Sequence, residues 1–496
     1  MFSSARIFDV KLVHGGCAAF LHSHPRCCSQ LILSDVLEPL FLGGLTDSRS
    51  TANKTIIEKV ARDHDIRPES IKSWIYRRRA KEKRSRNEGE LTGENNGTKV
   101  LHPVEEISIP SPSKISPLVL DRWQHYLQDC KLPDKEYVLD GIANGFSLDS
   151  RPKLLHSVRW NLASAERNPE AVGHHIRMLV DGGTISGPYR RKPYPNTHVS
   201  SIGLIPKKTG GWRLIADLSS PAGACVNDGI SKEDSAVEYV GIKAAVAKVL
   251  KFGPGCLLSK FDLADAYRMI AIRSEERYQL VYRWDDYYYV DLCLPFGGRS
   301  SPRIFTRFSD ILEWILTRHG PVDGMQHMLD DFFICSPPAE GIAEASRALT
   351  RSLELCSELG VPIRHTKVVQ PTTSMLFLGL EFDTESMEVR IPQDKLDKTQ
   401  RRLLDALSSK TIAKRQLLSL VGMLYFCSQC VSNAGGEMLE RLHEAARLED
   451  GRHQVELANE YYDYLGWWMD RLDGWNGRSL MEDFDFEKDD YTKFFS

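Results

Sequence analysis

The stretch Met325-Gln-His-Met-Leu-Asp-Asp-Phe-Phe-Ile-Cys335 constrains the fold most, because it sets two adjacent aspartates between two apolar β-type runs. That pattern reads as a hairpin with carboxylates at its tip. Two like charges side by side repel, so the arrangement makes physical sense if a divalent cation neutralises them. An Asp-Asp pair alone is common in ordinary turns. A third carboxylate changes its weight: about 70 residues earlier, Leu257-Leu-Ser-Lys-Phe-Asp262 reads as a buried strand ending in an aspartate. A carboxylate there is costly unless it is paired or bound to a metal. Asp262, Asp330 and Asp331 are therefore the candidate catalytic and metal-binding residues.

The 496 residues suffice for about three domains at the usual ~150 residues each. With 64 basic and 67 acidic residues the charges nearly cancel, so attraction to nucleic acid must come from local clusters. No apolar run approaches the roughly 18 to 20 residues of a membrane span, and Met1 to Arg26 lacks a signal pattern. No membrane partner is expected. The eleven scattered cysteines suit reduced thiols in nucleus or cytoplasm. Cys17, His22, His24, Cys27 and Cys28 lack zinc-finger spacing, and Cys427 with Cys430 sits in an apolar helical run where cysteine is usually a small hydrophobe.

Residues 1–84 read as a small helical domain. Ile56, Ile57, Val60 and Ala61 mark one helical face, and after a break at Asp65 to Arg67, Pro68 opens a second helix carrying Ile71, Trp74 and Ile75 inward. The second helix runs into Tyr76, Arg77, Arg78, Arg79 and Lys81, and Ser73 to Arg84 resembles the recognition helix of a homeodomain, with duplex DNA as the implied partner. Arg77 stands where that family places its adenine-reading asparagine; a nuclear-localisation cluster or a solvated basic helix are the alternatives. Residues 85–117 read as a flexible linker. From Pro117 to about Gly477 helical periods alternate with short β-rich runs, the pattern of an α+β domain, and the end after Ser479 reads as a solvated acidic tail.

Over roughly residues 117 to 477 the sequence resembles reverse transcriptases. Phe261-Asp-x-x-Asp-Ala-Tyr267 is similar to their first catalytic motif, Leu294-Pro-Phe-Gly-Gly-Arg-Ser-Ser-Pro302 to their template and nucleotide motif, and Leu329-Asp-Asp-Phe332 to their Asp-Asp hairpin. Arg213 to Ser219, Val226-Asn-Asp-Gly-Ile230 and Leu376 to Phe382 most resemble the DIRS-like, tyrosine-recombinase retrotransposons. The resemblance implies a right-hand polymerase with an antiparallel palm sheet: fingers and palm over 118–394, a thumb over 395–450, and a connection remnant with acidic tail over 451–496. It implies RNA-directed DNA polymerase activity on an RNA or DNA template, a DNA primer and dNTPs. Two Mg2+ or Mn2+ ions, roughly 3.5–4 Å apart, would be bridged by Asp262 and Asp330, with Asp331 completing the cluster.

The nucleotide would be held by Lys207, Lys208 and Arg213 on a Gly-turned hairpin, by Asp265 and Ala266, and by Gly297, with Tyr267 as an aromatic gate that excludes a 2′-hydroxyl. Gly298 and Arg303, together with the primer-grip-like Phe377, Leu378 and Gly379, would contact template or primer. Gly297 and Gly298 would permit close approach by nucleic acid, Ser301 would cap the following helix, and Pro302 suits its first turn. Ile304, Phe305, Phe308, Ile311, Leu312, Ile315 and Leu316 mark that helix's buried stripe. Lys367 would be a general acid toward pyrophosphate. Lys395, Lys398, Arg401, Arg402, Lys414 and Arg415 would give the thumb a basic face. Met328 replaces the tyrosine usual before the Asp-Asp hairpin, and RNase H carboxylates are absent from the sequence. The rival reading is a catalytically silent, element-derived nucleic-acid-binding protein.

Overall fold

The computed structural model describes residues 51–63, 109–151, 160–207, 210–237, 241–322, 324–430, 436–448, 454–475 and 478–483, with Leu37, Ile71, Ile75 and Tyr239 as single positions. The chain divides into two units, Met1–Glu105 and Glu106–Ser496. In the first unit, helix α1 (Thr51–Asp63) buries Ile57, Val60 and Ala61 at i, i+3 and i+4. Ile56 was expected on that face but is 38% exposed, since it sits about 100° around the helix from Ile57. Ile71 and Ile75 are helical and buried, one turn apart as the sequence pattern predicts. Tyr76, Arg77, Arg78, Arg79, Lys81, the Cys17 to Cys28 group and the acidic positions from Asp485 onward lie outside the described residues.

The second unit begins earlier than the linker reading predicts. Arg277 is fully buried and donates to the Pro110 carbonyl at 2.6 Å, and the Ser116 hydroxyl donates to the Met269 carbonyl at 2.7 Å. A buried guanidinium must find acceptors. That requirement fixes 109–117 to the body.

Helices α2 (Leu120–Tyr126) and α3 (Lys135–Asn144) precede the fingers, which comprise α4 (Ala163–Arg167), α5 (Pro169–Asp181), β1 (Ile185–Tyr189), β2 (Val199–Pro206) and β3 (Trp212–Asp217). After α6 (Ile242–Phe252) and β4 (Leu257–Asp262), β5 (Val281–Trp284) and β6 (Tyr287–Asp291) complete the fingers sheet in the order β1-β6-β5-β2-β3. Its β2/β5 pair is parallel and the rest antiparallel. Arg268 and Asp291 form a buried ion pair at 2.8 Å against this sheet; removing either partner leaves an unpaired charge at a cost of about 3–5 kcal/mol.

Helix α7 (Ser301–His319) leads into β7 (Met325–Met328), β8 (Asp331–Ser336), α8 (Gly341–Glu358) and β9 (Val369–Thr372). The palm sheet runs β7-β8-β4-β9, antiparallel throughout, as the sequence predicts. Strand parity divides its faces. Phe261, Phe332 and Ile334 point into one core with the α7 stripe Ile304, Phe305, Phe308, Ile311, Leu312, Ile315 and Leu316, every one buried. Leu258, Phe333 and Cys335 point into a second core, shared with α6 and the elements that follow.

Those elements are β10 (Ser374–Phe377), β11 (Leu380–Asp383), β12 (Glu388–Arg390), α9 (Gln393–Leu407), β13 (Thr411–Ala413), α10 (Lys414–Ser428), α11 (Gly436–Leu448), β14 (Gln454–Glu456), α12 (Asn459–Trp475) and β15 (Arg478–Leu480). Within the expected remnant, residues 454–475 and 478–483 pack on the thumb side. β14 pairs with β13, β15 adds to β12, and α12 buries Leu465, Trp468 and Leu472 in the second core. Burying three such side chains is worth about 2 kcal/mol each. The aromatic run Trp467-Trp468 therefore serves packing, and Cys427 and Cys430 are buried with thiols pushed up by desolvation, Cys427 to about 11. Among the described residues no helix is long and apolar enough to cross a membrane.

Candidate active site

The β4/β8 ladder pairs Asp262 directly with Asp331, and Asp330 occupies the turn between β7 and β8. Leu329 takes a positive φ of 54° to close that two-residue turn. Parity then puts Asp262, Lys260 and Asp331 on the sheet face turned away from α7. Asp262 is 5% exposed. Its Oδ2 accepts from Lys367 Nζ at 2.5 Å, Arg364 lies 3.5 Å from Oδ1, and Lys260 lies 3.9 Å from Asp331. Burial, then the Asp262 charge, raise Asp330 above the ordinary carboxylate value. Burial pushes Asp331 up to about 6, opposed by Lys260 and reinforced by Asp262 and Asp330.

Sequence reasoning missed Lys260 and Arg364. Lys260 was within reach of it, since a residue two before Asp262 on a strand shares its face. Arg364 had no local signal, because it meets Asp262 through a loop about 100 residues downstream.

The predicted gate and one phosphate ligand meet through a residue that sequence reasoning did not single out. Tyr267, half-buried, stacks on Phe296 with centroids 5.0 Å apart and tilts against Phe305 at 5.4 Å. Arg213 also lies over the Phe296 ring, 5.1 Å from its centroid. Burial, then Tyr239 and Asp330, raise the Tyr267 phenol. Arg213 and Lys207 flank the β2–β3 hairpin, where Gly210 and Gly211 adopt φ of 87° and 77°; Lys207 is exposed, and Lys208 lies outside the described residues. Asp265 is exposed with φ 49°, its carbonyl accepting from the Arg268 amide, and Ala266 packs on the palm core.

Several assigned contacts need correction. A Cβ on Gly298 would sit 2.5 Å from Ser301 Oγ, and one on Gly297 would sit 2.7 Å from the Ala216 carbonyl. Both glycines are thus required by close packing within the chain, with Gly297 alone exposed. Ser301 does not cap α7; its hydroxyl donates to the Pro295 carbonyl at 2.8 Å, while Pro302 sits in the first turn as expected. Arg303 is half-buried beside Tyr137, and Arg307, one turn on, is held by Asp134 at 2.5 Å and lies over the Tyr137 ring.

The Phe377 side chain is fully buried against Phe333 at 4.7 Å, so it anchors the β10–β11 hairpin and leaves only backbone to meet a primer. Leu378 and Gly379 form the turn, with φ of 47° and 87°. Lys395 donates to the Gly379 carbonyl at 2.7 Å and lies over Phe426, and Arg402 donates to Ser419. Lys395 thus ties α9 to the β10–β11 turn and Arg402 ties α9 to α10, while Lys398, Arg401 and Arg415 are exposed, Arg401 donating to the Asp397 carbonyl of its own helix.

The donor set suits a hard divalent cation. Asp262 Oδ1 is buried with no hydrogen-bond partner, and both neighbouring carboxylates are raised by burial and mutual repulsion. With Asp262 turned to Lys367, no group of three His, Cys, Asp or Glu among the described residues is drawn close enough to hold an ion.

A pH dependence follows. Because Asp331 binds its proton more tightly folded than unfolded, the metal-free protein loses stability as pH rises from the ordinary carboxylate range through about 6, by about 2–3 kcal/mol at most. Mg2+ is therefore expected to raise the melting temperature by several degrees at pH 7.5 and little at pH 5. A shift independent of pH, or one unchanged in Asp331→Asn, would remove Asp331 from the ion-binding set.

Residues 205–382 match the family model for reverse transcriptase (RNA-dependent DNA polymerase). A 139-residue stretch is 30% identical to polyprotein P3 of Commelina yellow mottle virus, covering 28% of this chain and 7% of the polyprotein. Among solved structures, the foamy viral protease-reverse transcriptase in complex with an RNA/DNA hybrid is similar at a TM-score of 0.50 and 16% identity, over 75% of this chain and 47% of that one. The foamy viral protease-reverse transcriptase dRH in complex with double-stranded DNA gives 0.49 and 16%, over 77% and 62%. The chain thus spans less than two thirds of each of these proteins, and the structural likeness is one of fold: an α+β right-hand polymerase.

Proposed function

We propose that this chain is an RNA-directed DNA polymerase that extends a DNA primer along an RNA or DNA template with the aid of two divalent ions, Mg2+ or Mn2+. The observation that carries the reading is the strand register that sets Asp262 beside Asp331, with Asp330 in the adjoining turn, on the palm face where Lys367 also lies. The bound ions would make the primer 3′-hydroxyl more nucleophilic and neutralise charge on the triphosphate. The protein's part is to position and to balance charge. Asp262, Asp330 and Asp331 would hold the ions; Lys207, Lys208 and Arg213 would bind the triphosphate. Lys367 Nζ, hydrogen-bonded to Asp262, would donate to the pyrophosphate leaving group. Tyr267 would lie under the sugar, with Asp265, Ala266 and Gly297 around the nucleotide, and Arg303, Leu378 and Gly379 on the template and primer side. Lys398, Arg401 and Arg415 are exposed cations that would track phosphates.

The motif wording supports a retrotransposon source of the DIRS-like group, acting in nucleus or cytoplasm. The basic segment Arg77 to Lys81 suits duplex DNA, as a homeodomain-like helix would. The test is extension of oligo-dT on poly-A with dTTP and Mg2+ or Mn2+, by the full chain and by a chain lacking residues 1–105. Both are expected to extend. Failure of the full chain, folded and DNA-bound, would favour the silent nucleic-acid-binding reading. Failure of the shortened chain alone would show that the first unit takes part in polymerisation.

A further inference from the structure

Asn227 is 5% exposed and lies outside the carboxylate cluster, yet its side-chain amide and backbone N–H are spent on two chain segments, the β3 exit and the turn at Gly297 to Arg299. Its amide Nδ2 donates to the Gly297 carbonyl at 2.9 Å and to Ser219 Oγ at 2.8 Å, and its Oδ1 accepts from the Arg299 backbone amide at 2.8 Å. The Asn227 backbone amide donates to the Leu218 carbonyl at 3.0 Å. Arg299 returns its guanidinium to the carbonyls of Asn227 at 2.5 Å and Ile230 at 2.8 Å. Both amide protons are used, and a flipped amide would set oxygen against the Gly297 carbonyl, so the network admits one orientation. The short helix carrying Asn227 is itself fixed, since Asp228 accepts from the backbone amide and the thiol of Cys225.

What Asn227 holds is the segment that carries Phe296. Gly297 is pressed on the Ala216 carbonyl of β3, Arg213 of the same strand lies over Phe296, and Phe296 stacks on Tyr267. Asn227 bonds to both ends of this assembly, to the β3 exit at Leu218 and Ser219 and to the turn at Gly297 and Arg299. We infer that Asn227 is a positioning residue that sets the Phe296–Gly297 turn between Arg213 and Tyr267, and thereby governs nucleotide binding and sugar selection. The inference rests on the polymerase reading above and adds to it the group that holds the nucleotide surface in register.

Asn227→Asp is nearly isosteric and keeps an acceptor for Arg299, but it replaces the donor to Gly297 with an oxygen. The KM for dTTP is expected to rise roughly 30-fold with kcat changed less than about threefold, and discrimination against the ribonucleotide to fall roughly tenfold. Affinity for primed template should stay as in the wild type. Ser219→Ala, which leaves the Gly297 bond intact, should leave both substrates within about twofold. A purely structural role would lower melting temperature and affect deoxy- and ribonucleotide alike; that result in folded Asn227→Asp, or an unchanged dTTP KM, would overturn the inference. Should Asn227→Asp not fold, Arg299→Lys severs the two guanidinium bonds of the same hub and must reproduce the KM rise and the loss of discrimination, or the inference fails. Wild-type protein run in parallel separates the two levels: without its extension the polymerase reading falls and takes this inference with it.

Discussion

Asp330→Asn and Asp262→Asn are each expected to cut nucleotide incorporation by at least about a thousandfold, about 4 kcal/mol of transition-state stabilisation, from proteins that remain folded. An amide keeps the shape of the carboxyl but brings no charge, and charge is what the donor set contributes. The stability change has a predicted sign at Asp330. Burial and the Asp262 charge already disfavour its ionised form, so a neutral side chain there relieves repulsion. Asp330→Asn should melt at or slightly above the wild type without divalent ions, and should lose most of the Mg2+-induced rise. Asp262→Asn instead frees Lys367 and Arg364, whose side chains are 52% and 42% exposed, so water can replace the lost partner. Single-turnover extension with parallel melting curves tests both. Incorporation within tenfold of wild type in either folded variant would remove that aspartate from the reacting centre.

Tyr267→Ala is the second large effect: discrimination against ribonucleotides is expected to fall roughly a hundredfold, with deoxynucleotide incorporation retained at a reduced rate. The ring packs against both Phe296 and Phe305, contacts that would be lost if it swung aside to admit a 2′-hydroxyl. Exclusion by a fixed ring is steric, so Tyr267→Phe should keep the wild-type preference. Removing the ring also leaves Phe296 without its stacking partner, so some loss of stability, about 2–3 kcal/mol, accompanies the change. Measured incorporation of dTTP against UTP by the three proteins decides the matter. An alanine variant that still rejects UTP as well as the wild type would place the gate elsewhere.

These effects trace to features of very different legibility. The three aspartates, the Asp-Asp hairpin and the α7 stripe were readable because each is a local pattern. Strand parity fixes which of Leu257 to Asp262 share a face, and helical periodicity fixes which of Ile304 to Leu316 are buried. The Gly-turned hairpin before Arg213 was readable for the same reason, since positive φ at Gly210 and Gly211 is a local demand.

The sequence misled where one residue type serves two ends. Phe377 stands in a motif associated with the primer yet fills the core against Phe333, and Lys395 is a thumb cation yet is held by Gly379 and Phe426. Gly298 was read as room for nucleic acid, whereas the room is taken by Ser301. The packing of residues 454–475 and 478–483 had no local signal, because their strands are three residues long and pair only with partners far upstream.

By itself, then, the amino-acid order determined the carboxylates, the elements that carry them and the α+β class, because dihedral preference and burial periodicity act between near neighbours. Only the tertiary structure decided which cations face Asp262 across about 100 residues of chain, that Arg213 reaches Tyr267 through Phe296, and that Asn227 fastens the turn between them. Those partners are chosen by how separate elements pack, and no spacing along the chain records it.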